Sequence, residues 1–317
     1  MIDFRYHLVS LIAVFLAIAL GIVIGTTALN GPLTDNLQKQ VSGLQEDKRG
    51  LETQTRQLQG QLDDVGTFEQ AVGPTLVKGT LTGRSVVLVV TGTVPNETVR
   101  GVSALLGDAG ATVNGTVQLT DAYTSTSSDA ALQTYLSGTG LPEGVAAPTG
   151  SDIGAQVGSL LAQVLMVPGP GRPAAGVRPA PTATSGVLSA LAQIGVVDKG
   201  DTSSVTAADF AVVLTTGAAT GKNAQARTTR LVELAGALDD QGSGTVVGGD
   251  EAAANEGGLV AALRADDQLA NSVSTVDNIT APAGQISSVL AVAAEGRGTS
   301  GAYGTADNTQ PVPSPAS

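Results

Sequence analysis

The chain has 317 residues, of which 42% are hydrophobic and only 3% aromatic, and its formal net charge is −12. This length allows one large domain or two small ones beside a membrane anchor. The acidic charge argues against a nucleic-acid partner, because binding to phosphates requires clustered Lys and Arg. The absence of cysteine excludes disulfides, thiolate metal sites and cysteine nucleophiles.

An uncharged apolar run near the N-terminus, residues 8–28, reads LVSLIAVFLAIALGIVIGTTA. At about 1.5 Å per residue, a helix of this length spans a hydrocarbon core of roughly 30 Å. The run is longer than the apolar part of a signal peptide, and the following LNGPLTDN offers no small-x-small cleavage site. The sequence therefore predicts a short tail and an uncleaved transmembrane helix over 1–29, in preference to a buried core helix.

The charges around this run set the expected orientation. Arg5 precedes the run, which weakly favours an N-terminus inside and the bulk of the chain outside the cytoplasm, with an inner-membrane anchor. Small residues recur every four positions along one ridge of the helix, where a second helix could approach closely: Ala13, Ala17, Gly21 and Gly25. We expect helix association there, although Ala and Gly are also common in such spans.

A heptad pattern follows over 30–72, after a predicted helix break at Gly31-Pro32. Leucines recur every seven residues at Leu37, Leu44, Leu51 and Leu58, while the alternate core position holds Val41, Lys48, Thr55 and Leu62. This pattern predicts a short coiled coil and a homodimer or higher homo-oligomer. The alternative is one amphipathic helix that folds back on its own domain.

Residues 73–304 predict an extracytoplasmic α/β domain with a mainly parallel, Rossmann-like sheet, because apolar runs alternate with amphipathic segments. The predicted strands lie at 85–90, 111–119, 210–214, 245–247 and 272–276, and predicted helices at 96–107, 224–238 and 255–264. The middle, 122–201, holds three short helical patterns and a Pro/Gly-rich loop. The tail, 305–317, is expected to be disordered because it has little to bury.

The pattern offers no catalytic site, and we expect a non-enzymatic protein without a cofactor. The only histidine, His7, lies at the membrane edge, and no nucleotide-binding glycine motif follows a strand. Asp121, Asp250 and Asp277 each follow a predicted strand, so they could face one crevice that binds a small ligand or a hard cation. The alternative is that they are ordinary turn and cap residues.

Both ends of the chain resemble a known family. The opening MIDFRYHLVSLIAVFLAIALGIVIG, the strand GRSVVLVVTG and the late segment VDNITAPAGQISSVLAVAAEGRGTSGAYG are similar to the actinobacterial MctB family. This resemblance implies a pore-forming envelope protein that moves copper out across the outer membrane. The resemblance extends to SteB-like envelope proteins, which implies instead a dimerising scaffold that recruits a membrane partner in cell division.

The side chains fit the family better than they fit copper binding. Copper(I) prefers thiolate, thioether and imidazole ligands. The chain has no Cys, one His and only Met1 and Met166 as thioethers. We therefore predict no metal site, and any copper role follows from the resemblance alone.

Overall fold

The computed structural model describes residues 4–138, 140–200 and 202–314, and for 26–36 it describes the backbone alone. The chain divides into two compact units, Met1–Val65 and Gly66–Ser317. The second unit thus begins before residue 73, where the sequence places the start of the domain, because the last turns of the first helix pack onto the domain.

The first helix, α1, is a single element of 74 residues, Phe4–Val77. It runs through Gly31-Pro32, where the sequence predicts a break. A proline removes one hydrogen bond and crowds the preceding turn, which can bend a helix without ending it when helix formers continue beyond it. Within α1, Phe4–Gly25 is long and apolar enough to cross a membrane, with a mean hydropathy of 2.9.

A parallel sheet forms the centre of the second unit, as the alternating pattern predicts. Within the described residues its order is β2-β1-β3-β4-β5-β6, with every neighbouring pair parallel. The strands are β1 (Ser85–Val90), β2 (Thr112–Gln118), β3 (Phe210–Leu214), β4 (Thr245–Gly248), β5 (Ser274–Val276) and β6 (Ala302–Tyr303). The first five match predicted strands, whereas β6 was not predicted because two residues give no periodic signal.

Helices cover both faces of the sheet, which is why β1 is buried at every position and apolar from Val86 to Val90. They are α2 (Asn96–Asp108), α3 (Asp121–Thr124), α4 (Asp129–Ser137), α5 (Ile153–Leu165), α6 (Pro181–Ile194), α7 (Ala224–Gln241), α8 (Leu259–Ala265) and α9 (Pro282–Glu295). Val87 and Val89 join the core formed with α5, α6, α7 and α8. Val86 and Leu88 join the opposite core with α2 and α9.

The end of α1 packs into this second core. Val77 is fully buried, and Glu69 Oε2 accepts a hydrogen bond of 3.1 Å from the backbone N–H of Ala283 at the start of α9. A Cβ at Gly73 would lie 3.1 Å from the Ile286 side chain, so a larger residue would push α1 away from α9. These contacts hold the last turns of α1, from residue 66 on, within the second unit.

The first part of the segment expected to be disordered is bound to the sheet. The Gly304 N–H donates to Gln310 O, and the Gln310 N–H donates to Ala302 O, each at 2.9 Å. The sequence gives no sign of this pairing because backbone groups make it, not apolar side chains. Residues 315–317 lie outside the described residues.

Candidate functional site

The strand order creates a topological switch point between β1 and β3. β1 continues to β2 on one side, and β3 continues to β4 on the other. In open α/β sheets, ligands bind outside the carboxyl ends of the strands at such a point, because the outgoing loops diverge there. Here the diverging turns are Thr91-Gly92 after β1 and Thr216-Gly217 after β3.

A cavity of about 150 Å³ lies at this switch point. Gly92 and Gly217 both line it, with φ of +69° and +76°, a conformation that favours glycine. Arg227 on α7 and Asp121 at the start of α3 also line it. The lining is rich in hydroxyl groups: Thr91, Thr120, Thr124, Thr215, Thr216, Thr220 and Thr228.

A larger cavity of about 1020 Å³ shares Asp121, Thr124 and Arg227 with the first. The segment from α3 to α4 and the N-terminal ends of α5 and α7 form its walls. In its lining, Arg230 holds Asp129 in an ion pair of 2.8 Å, and this hydrogen bond raises the pKa of the guanidinium. Asp152 caps α5 by accepting the Ala155 N–H at 3.0 Å.

The three aspartates predicted to share a crevice do not meet. Asp121 lies after β2 and Asp277 after β5, four strand intervals apart, which at about 4.8 Å each is roughly 19 Å. Asp250, after β4, does not line either cavity, but its Oδ1 accepts the N–H groups of Gly217 and Ala253, each at 2.9 Å. The common crevice is therefore corrected: strand order, which the sequence does not give, separates these residues.

Asp277 is a structural residue. Its carboxylate is 1% exposed and pairs with Arg264 Nη1 at 2.9 Å. The other oxygen accepts the Thr305 N–H at 2.7 Å, which fixes the segment after β6. Asp250 is thus a cap residue, Asp277 belongs to a buried ion pair, and of the three only Asp121 lines either cavity at the switch point.

Two carboxylates with raised pKa values lie at the opposite, amino end of the sheet. Burial raises the pKa of Glu295 to about 8, although its Oε1 accepts hydrogen bonds from the Ser274 N–H and hydroxyl at 2.9 and 2.5 Å. Burial also raises the pKa of Asp239 to about 6, with the Ser272 hydrogen bond opposing the shift. Neither residue lines a cavity at the switch point.

The described residues offer few soft metal ligands. They contain no group of three or more His, Cys, Asp or Glu side chains placed to hold a metal ion. Met166 is fully buried in the core beside α5 and α7. His7 lies on α1, in the apolar segment that could cross a membrane.

The predicted association residues all lie on α1. The leucines of the heptads are more than half exposed in the single chain: Leu37, Leu44, Leu51 and Leu58. In the apolar segment, Gly21 and Gly25 have open space in front of them, and Ala13 and Ala17 are exposed on the same helix. These surfaces are therefore accessible to a second chain.

The sequence prediction missed Arg227 and Thr215, which line the cavity at the switch point. A usable signal was present, since a Thr-Gly pair follows both β1 and β3 and an arginine lies one turn into the helix after β3. This signal identifies a cavity only when β1 and β3 are known to be neighbours, which the sequence does not give.

These features define a class: a chain with an N-terminal helix long and apolar enough to span a membrane and a parallel-sheet α/β domain. A family model described as "Copper transport outer membrane protein, MctB" matches residues 1–313. The chain therefore belongs to the MctB family, as the resemblance of its end motifs indicated. Proteins named "Copper transporter MctB" from Mycobacterium tuberculosis and Mycobacterium bovis are 35% identical over 301 residues, covering 92% of each chain. The Mycobacterium leprae protein of that name is 33% identical over 304 residues, again covering 92% of each.

Proposed function

We propose that this chain is an envelope protein that takes part in copper efflux or homeostasis, with its α/β domain outside the cytoplasm. The family match over 1–313 carries this proposal, because it covers the apolar helix and the domain together. The relatives are named copper transporters, which suggests copper as the substrate. The role is transport rather than catalysis.

In this proposal the domain supports copper handling without binding Cu(I) tightly. A tight Cu(I) site requires two or more soft ligands around one ion. The only soft side chain in the domain, Met166, is fully buried and is surrounded by apolar core residues such as Leu238. Copper would therefore pass through an assembly of several chains or a partner protein.

The test is a competition titration of the full chain in detergent against a Cu(I) chelator, without dithiols. We expect no stoichiometric sub-micromolar binding, and the same result for Met166→Leu, which keeps the core volume. A deletion strain should accumulate copper, and both wild type and Met166→Leu should restore the normal level. Tight binding that Met166→Leu abolishes would overturn this account of the domain, and normal copper levels in the deletion strain would overturn the copper role.

A second candidate function is a self-associating scaffold that recruits a membrane partner and transports nothing itself. The observation that favours it is the row of exposed heptad leucines on α1, since an apolar stripe of this kind gains stability when a second helix covers it. Lys48 and Thr55 at alternate core positions weaken the seam, so we expect dimers or small oligomers.

Light scattering of the full chain in detergent tests the association. The double change Leu44→Ser and Leu51→Ser should shift the chain toward monomer at micromolar concentration. Thr53→Ser and Gln57→Ser, on the opposite face of α1, form the matched control and should leave the mass unchanged. Equal masses for both double variants would show that the heptads are not an interface.

A reporter fusion tests the orientation. Alkaline phosphatase should be fused to the C-terminus. A fusion directly after Gly304 would remove Gln310, whose backbone pairs with Gly304 and with Ala302 of β6. We expect an active fusion. An inactive fusion together with an active cytoplasmic reporter at the same place would put the domain inside.

A further inference from the structure

The cavity at the switch point carries an inference independent of copper. Two cavities, of about 150 and 1020 Å³, share part of their lining at the carboxyl ends of β1, β2 and β3. Ligand sites of small molecules occupy clefts of roughly 300–1,000 Å³. The smaller cavity therefore has room for one polar group, and the larger has room for the remainder of a small molecule.

Arg227 differs from two other arginines of the domain. Arg230 and Arg264 hold carboxylates at 2.8 and 2.9 Å. In the part of the chain that the structure describes, no carboxylate lies within 4.0 Å of the Arg227 guanidinium. Its Nε makes one long hydrogen bond of 3.4 Å, to the Thr124 hydroxyl. Arg227 is half-buried and lines both cavities, so the N–H groups of its guanidinium are available to donate to an anion there.

Buried threonines line the smaller cavity together with Arg227. Thr215 is only 4% exposed and lines the smaller cavity. Thr91, also 4% exposed, makes a single long bond of 3.5 Å to Leu214 O. A hydroxyl in the wall of a cavity can both donate to and accept from a bound polar group, so these two threonines add hydrogen-bonding capacity to the cavity that Arg227 lines.

We propose that this crevice binds a small organic phosphate, with the phosphate beside Arg227 and the hydroxyl groups of Thr91 and Thr215. A phosphate ester offers three acceptor oxygens to donors on different loops, whereas a carboxylate offers two in one plane. Asp121, exposed at the rim of both cavities, accepts hydrogen bonds from hydroxyl groups of the ligand body. A sugar phosphate has this chemistry.

The test is calorimetric titration of the full chain in detergent at low salt. The probes are ribose 5-phosphate, inorganic phosphate, neutral ribose and gluconate. We expect binding of ribose 5-phosphate, weaker binding of inorganic phosphate, and none of ribose. Tighter or equal binding of gluconate would overturn the phosphate assignment, and the absence of any binding at millimolar concentration would overturn the site.

Single substitutions test whether the ligand binds at these residues. Arg227→Gln should weaken ribose 5-phosphate binding by about tenfold or more, because it removes a charge-assisted hydrogen bond. Thr215→Val, which keeps the side-chain shape, should weaken it by about threefold or more. Arg172→Gln is the matched control, since Arg172 lines neither cavity and pairs with Asp240 on the surface at 3.3 Å. Unchanged affinity in folded Arg227→Gln and Thr215→Val, judged by circular dichroism, would refute the proposal.

Discussion

The change Asp277→Asn separates a structural carboxylate from a ligand-binding one. Asp277 is 1% exposed, pairs with Arg264 at 2.9 Å and accepts the Thr305 N–H at 2.7 Å. The asparagine removes the charge, so Arg264 loses its partner, and one oxygen becomes an amide donor. Breaking a buried ion pair in this way costs about 3–5 kcal/mol. We expect a loss of unfolding free energy in this range.

Denaturant unfolding of the full chain in detergent, followed by circular dichroism, measures this loss. Asp121→Asn is the matched control because Asp121 is exposed, and its effect should stay within about 0.5 kcal/mol. In Arg264→Leu with Asp277→Asn the two losses should be less than additive, because either change alone already breaks the pair. A loss below about 1 kcal/mol for Asp277→Asn would refute the structural role argued here.

Two further changes test other parts of the domain. The pKa of Glu295 is raised from 4.5 to about 8, so between these values the folded state holds a proton that the unfolded state releases. The free energy of unfolding should therefore fall as pH rises from about 4.5 to 8 and then level off. Glu295→Gln should flatten this slope between pH 6 and 8, and an unchanged slope in the unfolding free energy would contradict the burial argument. Gly284→Ala should destabilise the domain by about 1–3 kcal/mol, because the added Cβ would overlap the Asn278 backbone carbonyl. Gly107→Ala is the control, because the space in front of its Cβ is open. A normal melting temperature for Gly284→Ala would show that α9 shifts freely.

The sequence predicted the central strands of the sheet because burial on both faces leaves a strong pattern. Ser85–Val90 and Phe210–Leu214 match predicted strands at both ends. α9 was not predicted as a separate element, because its serines and alanines, nearly all buried, give no amphipathic contrast. Continuous burial makes a strand easy to recognise and a helix hard to recognise.

The crevice was harder to predict, because its residues come from strands that are far apart in the sequence. Thr91 and Thr215 become neighbours only through the β1–β3 pairing, in which Val90 lies opposite Leu214. The aspartate prediction failed for the same reason, since every carboxyl end of a parallel sheet looks alike until strand order is known. Spatial order, not residue chemistry, was the missing information.

Charge balance explains why an arginine, and not an aspartate, marks the crevice. The chain has 28 acidic and 16 basic residues, so carboxylates are available to pair with every cation. At the carboxyl ends of the strands, backbone N–H groups also attract acids, as Asp250 shows by accepting two of them. An aspartate at the carboxyl ends of the strands can therefore be explained by the backbone N–H groups it accepts, without any ligand. Arg227 is half-buried, and among the described residues no carboxylate lies within 4.0 Å of its guanidinium, so the proposed anionic ligand would explain its position.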